Sequence, residues 1–146
     1  MSSEHFKLET LLNLRKQKEE ECERALAQAL ASLKRDEEAL LQVRMEREEL
    51  NVDWLKAITD PNIRCERIRD YEDYAQVLER SEIDGLARLR ASKDRQRECA
   101  AALVKASRDT KILEKLKTRI SERALKRERE REQAQMDEMA MTRQSA

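Results

Sequence analysis

A chain that can reverse direction in only one place has few folds open to it. This one holds a single proline, Pro61, and a single glycine, Gly85, in 146 residues. Sheets, barrels and doubly wound folds need many turns, and turns draw on Gly, Pro, Asn and Asp. Average globular chains carry roughly 7% Gly and roughly 5% Pro. The shortage of both argues against those folds and against any glycine-rich phosphate loop. Charged residues make up 42% of the chain and aromatic residues 3%, which invites a reading as disorder. Disorder fits poorly, because 39% of residues are apolar and they recur with a helical period. Long helices are what remains.

The period is that of a coiled coil. Steps alternating by three and four from Leu8 give Leu8, Arg15, Cys22, Ala29, Asp36, Val43 and Leu50, with Leu12, Glu19, Leu26, Leu33, Leu40, Arg47 and Trp54 between them. Ten of these fourteen positions are apolar, and the residues around them are mostly Glu, Lys, Arg, Gln and Ala. The pattern stops at Thr59-Asp60-Pro61-Asn62. A proline ring fits the first position of a helix and clashes inside one. We therefore expect a first helix over about 4–58, a corner over about 59–62, and a second helix over about 61–141 with Asp60 as its N-cap.

The second helix has its own seam. It runs through Tyr71, Leu78, Gly85, Ser92, Cys99, Ala106, Leu113 and Ile120, and through Ala75, Glu82, Leu89, Gln96, Leu103, Thr110, Lys117 and Ala124. Ten of these sixteen are apolar. Gly85 costs ~1 kcal/mol against Ala in a helix, and Ile83 and Leu86 fall off register beside it, so a local irregularity or bend is expected there. A short corner between two long helices makes an antiparallel hairpin. The fold expected is all-α: one long antiparallel two-helix coiled-coil hairpin over 1–146, with the second helix longer than the first. With the corner near residue 60, the numbers of facing residues should sum to roughly 119, give or take about four. That register brings Cys22 near Cys99, read as two small apolar seam residues.

The arithmetic leaves a remainder. The second helix outruns the first by about 25 residues, nearly 40 Å at ~1.5 Å per residue. Leu116, Ile120, Ala124 and Leu125 lie on that overhang with no partner inside the hairpin. Residues 127–132 alternate Arg and Glu, and pairs such as Arg127 with Glu130 and Arg129 with Glu132 suit a solvated helix. Near the corner, Tyr74 and Leu78 stand four apart and so share a face, divided between seam margin and binding patch.

Lys and Arg number 31 and Asp and Glu number 31, so the formal net charge is zero. The charge is uneven: residues 86–127 hold 14 basic and 5 acidic side chains. That stretch has no aromatic residue for base stacking, so nucleic acid is not the expected partner. The longest apolar run, Cys99 to Val104, is far short of the ~20 residues that span a bilayer. No signal peptide is evident, and Cys22, Cys65 and Cys99 lack metal-ligand spacing. We expect free thiols, a cytoplasmic location and no membrane insertion. A two-helix hairpin offers no concave site, and His5 is the only histidine. No catalytic, cofactor or metal-binding residue is assigned, and an enzyme is not expected.

Three segments resemble one family. They are the opening Phe6-Lys7-Leu8-Glu9-Thr10-Leu11-Leu12-Asn13-Leu14-Arg15, the middle stretch from Tyr71-Glu72-Asp73-Tyr74 to Leu78-Glu79, and the tail Gln135-Met136-Asp137-Glu138-Met139-Ala140-Met141-Thr142-Arg143. Together they are similar to the flagellar export protein FliJ family over the whole chain. The resemblance implies a small component of the flagellar type III export apparatus, acting in flagellum biogenesis, motility and chemotaxis. It implies a hairpin like the central stalk of rotary ATPases, whose joined ends insert into the hexameric export ATPase, promote its assembly and couple it to the export gate. It implies contact with the gate protein FlhA through Tyr74 and Leu78, although Tyr74 stands where some relatives carry Phe. It also implies binding of export chaperones, at the cytoplasmic face of the apparatus. The tail motif, with Met136, Asp137, Glu138 and Arg143, would belong to the ATPase end together with Leu116, Ile120 and Leu125. In isolation a monomer is expected. The other readings are the stalk of a virulence type III system and a generic cytosolic coiled-coil scaffold.

Overall fold

The computed structural model describes residues 2–145, and side-chain environments over residues 4–145. Among the described residues there are two helices, α1 (Ser2–Ile58, 57 residues) and α2 (Cys65–Ser145, 81 residues). The second is the longer, as its apolar period requires. Both carry Glu in the first turn (Glu4, Glu66) and a base in the last (Lys56, Arg143), which offsets the helix dipoles. Close contacts divide the chain into two compact units, Cys22–Leu103 and Met1–Glu21 with Val104–Ala146.

The unit Cys22–Leu103 holds the corner. The helices are hairpin-like here: Trp54 meets Tyr71, Arg44 and Arg47 meet Glu82, and Asp36 meets Ser92. Numbers rise on α1 as they fall on α2. The corner is longer than the sequence suggested, and α2 begins at Cys65 rather than Pro61. Asp60 does not cap α2. Its Oδ1 accepts the Asn62 N–H at 3.0 Å, and its carbonyl accepts the Ile63 N–H at 3.3 Å. With Pro61 next in line this is a proline turn of the kind Asp-Pro favours. The Thr59 hydroxyl donates to the Lys56 carbonyl at 2.6 Å, satisfying one of the free acceptors at the end of α1. Helical bonding starts at the Arg64 carbonyl, which accepts the Ile68 N–H at 3.3 Å.

The unit formed by the outer segments repeats the arrangement. Arg15 pairs with Asp109 at 3.4 Å and Lys117 with Glu9 at 3.3 Å. Leu12, Ala106 and Thr110 are buried, and the Thr110 hydroxyl donates to the Ala106 carbonyl at 3.1 Å.

Within the two units, facing numbers sum to 124–129 rather than 119. The later start of α2 is the reason, because it moves the pivot of the hairpin. Cys22 is accordingly set about one turn past Cys99 in register. All three thiols are free: Cys22 is buried, Cys99 half-buried and Cys65 exposed.

The heptad reading identifies the covered faces. Of its fourteen α1 positions only Arg15 and Arg47 are exposed, and both reach carboxylates on α2. Of its sixteen α2 positions only Ala75, Ile120 and Ala124 are exposed. The helix runs unbroken through Gly85. What the glycine provides is closeness. A Cβ built on Gly85 would lie 3.2 Å from Leu40 Cδ1, tighter than the ~3.5–4.0 Å of ordinary carbon contact. Leu40 occupies the space that a side chain at position 85 would need.

Candidate partner-binding surfaces

Four polar contacts link the two helices across the seam. Arg47 and Arg44 on α1 both donate to the Glu82 carboxylate, Arg44 at 3.3 Å. The hydrogen bond from Arg47 is the main cause that holds the Glu82 carboxyl below the ordinary carboxylate range; partial burial opposes it and Arg44 assists. The Glu82 side chain is 18% exposed, so the pair of arginines supplies what water would have supplied. Ser92 donates to Asp36 at a part-buried position. Arg15 with Asp109 and Lys117 with Glu9 form the third and fourth. No buried side-chain N or O atom among the described residues lacks a hydrogen-bond partner.

The Tyr74–Leu78 pair falls on two environments. Leu78 is buried, at 3% exposure, and belongs to the seam. Tyr74 is 46% exposed, one turn away, beside exposed Val77. Tyr71 turns inward, its ring 5.4 Å from that of Trp54 at 59°, with the Arg67 guanidinium 6.0 Å from the Tyr71 ring centre. The presence of Trp54 and Tyr71 on the two seams was the available signal for this pair. The partners of Glu82 were signalled less clearly, by polar residues standing at seam positions.

The tail residues lie apart from any covered face. Every described residue from 118 to 145 is exposed. Leu116, Ile120, Leu125 and Met136 are uncovered apolar side chains on this length, and Asp137, Glu138 and Arg143 are exposed beside them. Glu138, Met139 and Arg143 join Gln135 and Thr142 around a shallow depression. Asp137 accepts a hydrogen bond from Gln133 at 3.3 Å. The Arg127–Glu130 and Arg129–Glu132 pairs do not come within ion-pair distance; these exposed side chains are solvated instead, as such surface pairs commonly are.

Among the described residues, no group of three or more His, Cys, Asp and Glu is placed to hold a metal ion. No described helix is long and apolar enough to cross a membrane. The molecule presents helix surface, with buried apolar residues between two helices and uncovered ones along them. That is the build of a two-helix protein with apolar surface left uncovered. Compared with known families, residues 4–145 match the model described as Flagellar FliJ protein, and the chain belongs to that family. Membership makes it a component of flagellar type III export, in a family of structural export components rather than enzymes. Comparison with curated proteins and with solved structures gives no match.

Proposed function

We propose that this protein is an antiparallel coiled-coil stalk of the flagellar export apparatus. Its terminal end inserts into the hexameric export ATPase, promotes assembly of the ring and couples it to the export gate. The observation that carries this reading is the uncovered stretch of α2, where Leu116, Ile120, Leu125 and Met136 are exposed on a helix that has outrun its partner. An amphipathic helix of this kind is stabilised when a neighbour covers its apolar face. A ring of subunits is such a neighbour. Asp137, Glu138 and Arg143 complete the inserted end as polar contacts.

Tyr74 is the contact to the gate protein FlhA in this proposal. Leu78, buried in the seam, fixes the helix beneath it, and Val77 extends the exposed surface. Export chaperones bind elsewhere on the helices, and the protein works in the cytoplasm at the face of the export apparatus, monomeric before it joins the ring. The family description, which is flagellar, favours this over a virulence-type stalk.

The test is ATP hydrolysis and ring assembly by the export ATPase of the same genome, with the full chain and with residues 117–146 deleted. Stimulation by the full chain and its loss on deletion are expected. Equal stimulation by the truncated chain would remove the tail from the ATPase contact.

A further inference from the structure

A second uncovered apolar line lies on α1, far along the chain from the tail. Leu41, Met45, Val52 and Leu55 are spaced four, seven and three apart, so they fall on one face of the helix. They are 47–61% exposed. The face is turned away from the seam, where Leu40, Val43, Leu50 and Trp54 are covered. The line extends ~21 Å, or about four turns. Exposed apolar residues scattered singly are ordinary. Four in helical register on a helix that already has a covered face form a second stripe.

The residues around the stripe are acidic. Glu37, Glu38, Glu48, Glu49 and Asp53 are all exposed, and none forms an ion pair among the described residues. Met45 and Val52 share a shallow depression with Glu48, Glu49 and Asp53. Of the bases between residues 34 and 56, Arg44 and Arg47 are both engaged by Glu82; Lys34 and Arg35 stand at the Glu37–Glu38 end and Lys56 at the other, which leaves the stretch around Glu48, Glu49 and Asp53 without an unengaged base. Glu48 stands on the line itself, seven residues from both Leu41 and Leu55, with Glu49 and Asp53 beside it, so the local field is negative along the apolar track.

We infer that this face of α1 is a docking surface for a basic amphipathic helix of another protein. Such a helix would seat leucine-like side chains between Leu41, Met45, Val52 and Leu55 and direct Lys or Arg at the flanking carboxylates. Charge decides among the possible occupants. The same stripe of a second copy would bring carboxylates against carboxylates, and an anionic membrane or a nucleic acid would be repelled in the same way. A cationic helix gains both from burial of the stripe and from complementary charge. This surface is independent of the stalk reading, since it involves neither the tail nor Tyr74.

The probe is a designed, fluorescently labelled peptide of about four helical turns with Leu at i, i+4, i+7 and i+11 and Lys elsewhere. It is titrated against the full chain by anisotropy at several salt concentrations. The controls are the same peptide with every Lys changed to Glu, the double variant Leu41→Ser with Met45→Ser, and the double variant Glu48→Lys with Glu49→Lys. All four substituted side chains are exposed, so ellipticity at 222 nm should stay unchanged. Binding of the Lys peptide that weakens about tenfold or more in each double variant, and weakens with salt, is expected. Equal binding of the Glu peptide, or unchanged affinity in the variants, overturns the proposal. So does sedimentation showing that the full chain alone self-associates through this face and that Leu41→Ser with Met45→Ser abolishes it, since the occupant would then be a second copy.

Discussion

Replacing Gly85 by Ala sets two known magnitudes against each other at one atom. In an unencumbered helix the change stabilises by about 1 kcal/mol, because Gly gives up more backbone freedom on folding. Here the new Cβ would stand 3.2 Å from Leu40 Cδ1. Leu40 is buried at 4% exposure, so its Cδ1 would have to give by a few tenths of an ångström inside the covered seam. Moving it off its rotamer costs about 0.5–1.5 kcal/mol. The two terms nearly cancel, so Gly85→Ala alone should change stability by less than about 0.5 kcal/mol. Leu40→Ala removes the clashing methyl and leaves only Cβ, 3.9 Å away in ordinary contact. That substitution alone should cost about 2–5 kcal/mol. In its background Gly85→Ala should regain the full ~1 kcal/mol of helix propensity. The coupling energy expected from the double-mutant cycle is then about 0.5–1.5 kcal/mol, read from urea unfolding followed at 222 nm. If Gly85→Ala stabilises by the same ~1 kcal/mol with and without Leu40, the two helices do not approach closely at this point and the role assigned to the glycine is wrong.

Two further outcomes follow from the same geometry. The Glu82 carboxyl is held below its ordinary range by Arg47 and Arg44, so its contribution to stability is complete above the unfolded-state value and is lost as pH falls through the lowered one. Acid titration of thermal stability should therefore show a steeper fall for the native chain than for Glu82→Gln, and superimposable acid limbs would show that the arginine contacts do not favour the ionised form. Leu78→Ala should destabilise by about 2–5 kcal/mol as a buried seam residue, whereas Tyr74→Ala should leave the unfolding midpoint within the range of surface substitutions while weakening capture by the gate protein; a stable, binding-competent Tyr74→Ala chain would take Tyr74 out of the contact.

The covered faces were legible in the sequence because the heptad period is a property of the helix alone. Leu12, Cys22, Ala29, Leu40, Leu78 and Ala106 were all placed on a seam by spacing, and all are buried. Seam positions that hold polar residues were equally visible, at Arg15, Asp36, Arg47, Glu82 and Ser92. What the period could not supply was the pairing between the seams. That depends on the corner, where Asp60 satisfies its own turn rather than the start of α2. Local hydrogen bonding by Asp competes with helix capping at energies too similar for sequence to decide. The same limit applied to the candidate sites: exposure of the tail followed from unequal helix lengths, but the outward stripe on α1 became evident only once the seam was seen to be the face of that helix that α2 covers.

Register ties these pieces together. An apolar seam rich in Leu and Ala tolerates sliding by a turn, because one heptad position resembles the next. Arg47 with Glu82, Asp36 with Ser92, and Arg15 with Asp109 do not tolerate it, since a slip of one turn leaves each partly covered polar group without its partner. These contacts add little as exposed ion pairs. Their effect is to make one alignment better than its neighbours. Within the unit of the outer segments, Arg15 with Asp109 and Lys117 with Glu9 mark where the covered length of α2 ends, near Lys117, and hence which apolar residues stay uncovered beyond it. The polar positions at that end of the seam thus determine which apolar residues of the tail stay uncovered.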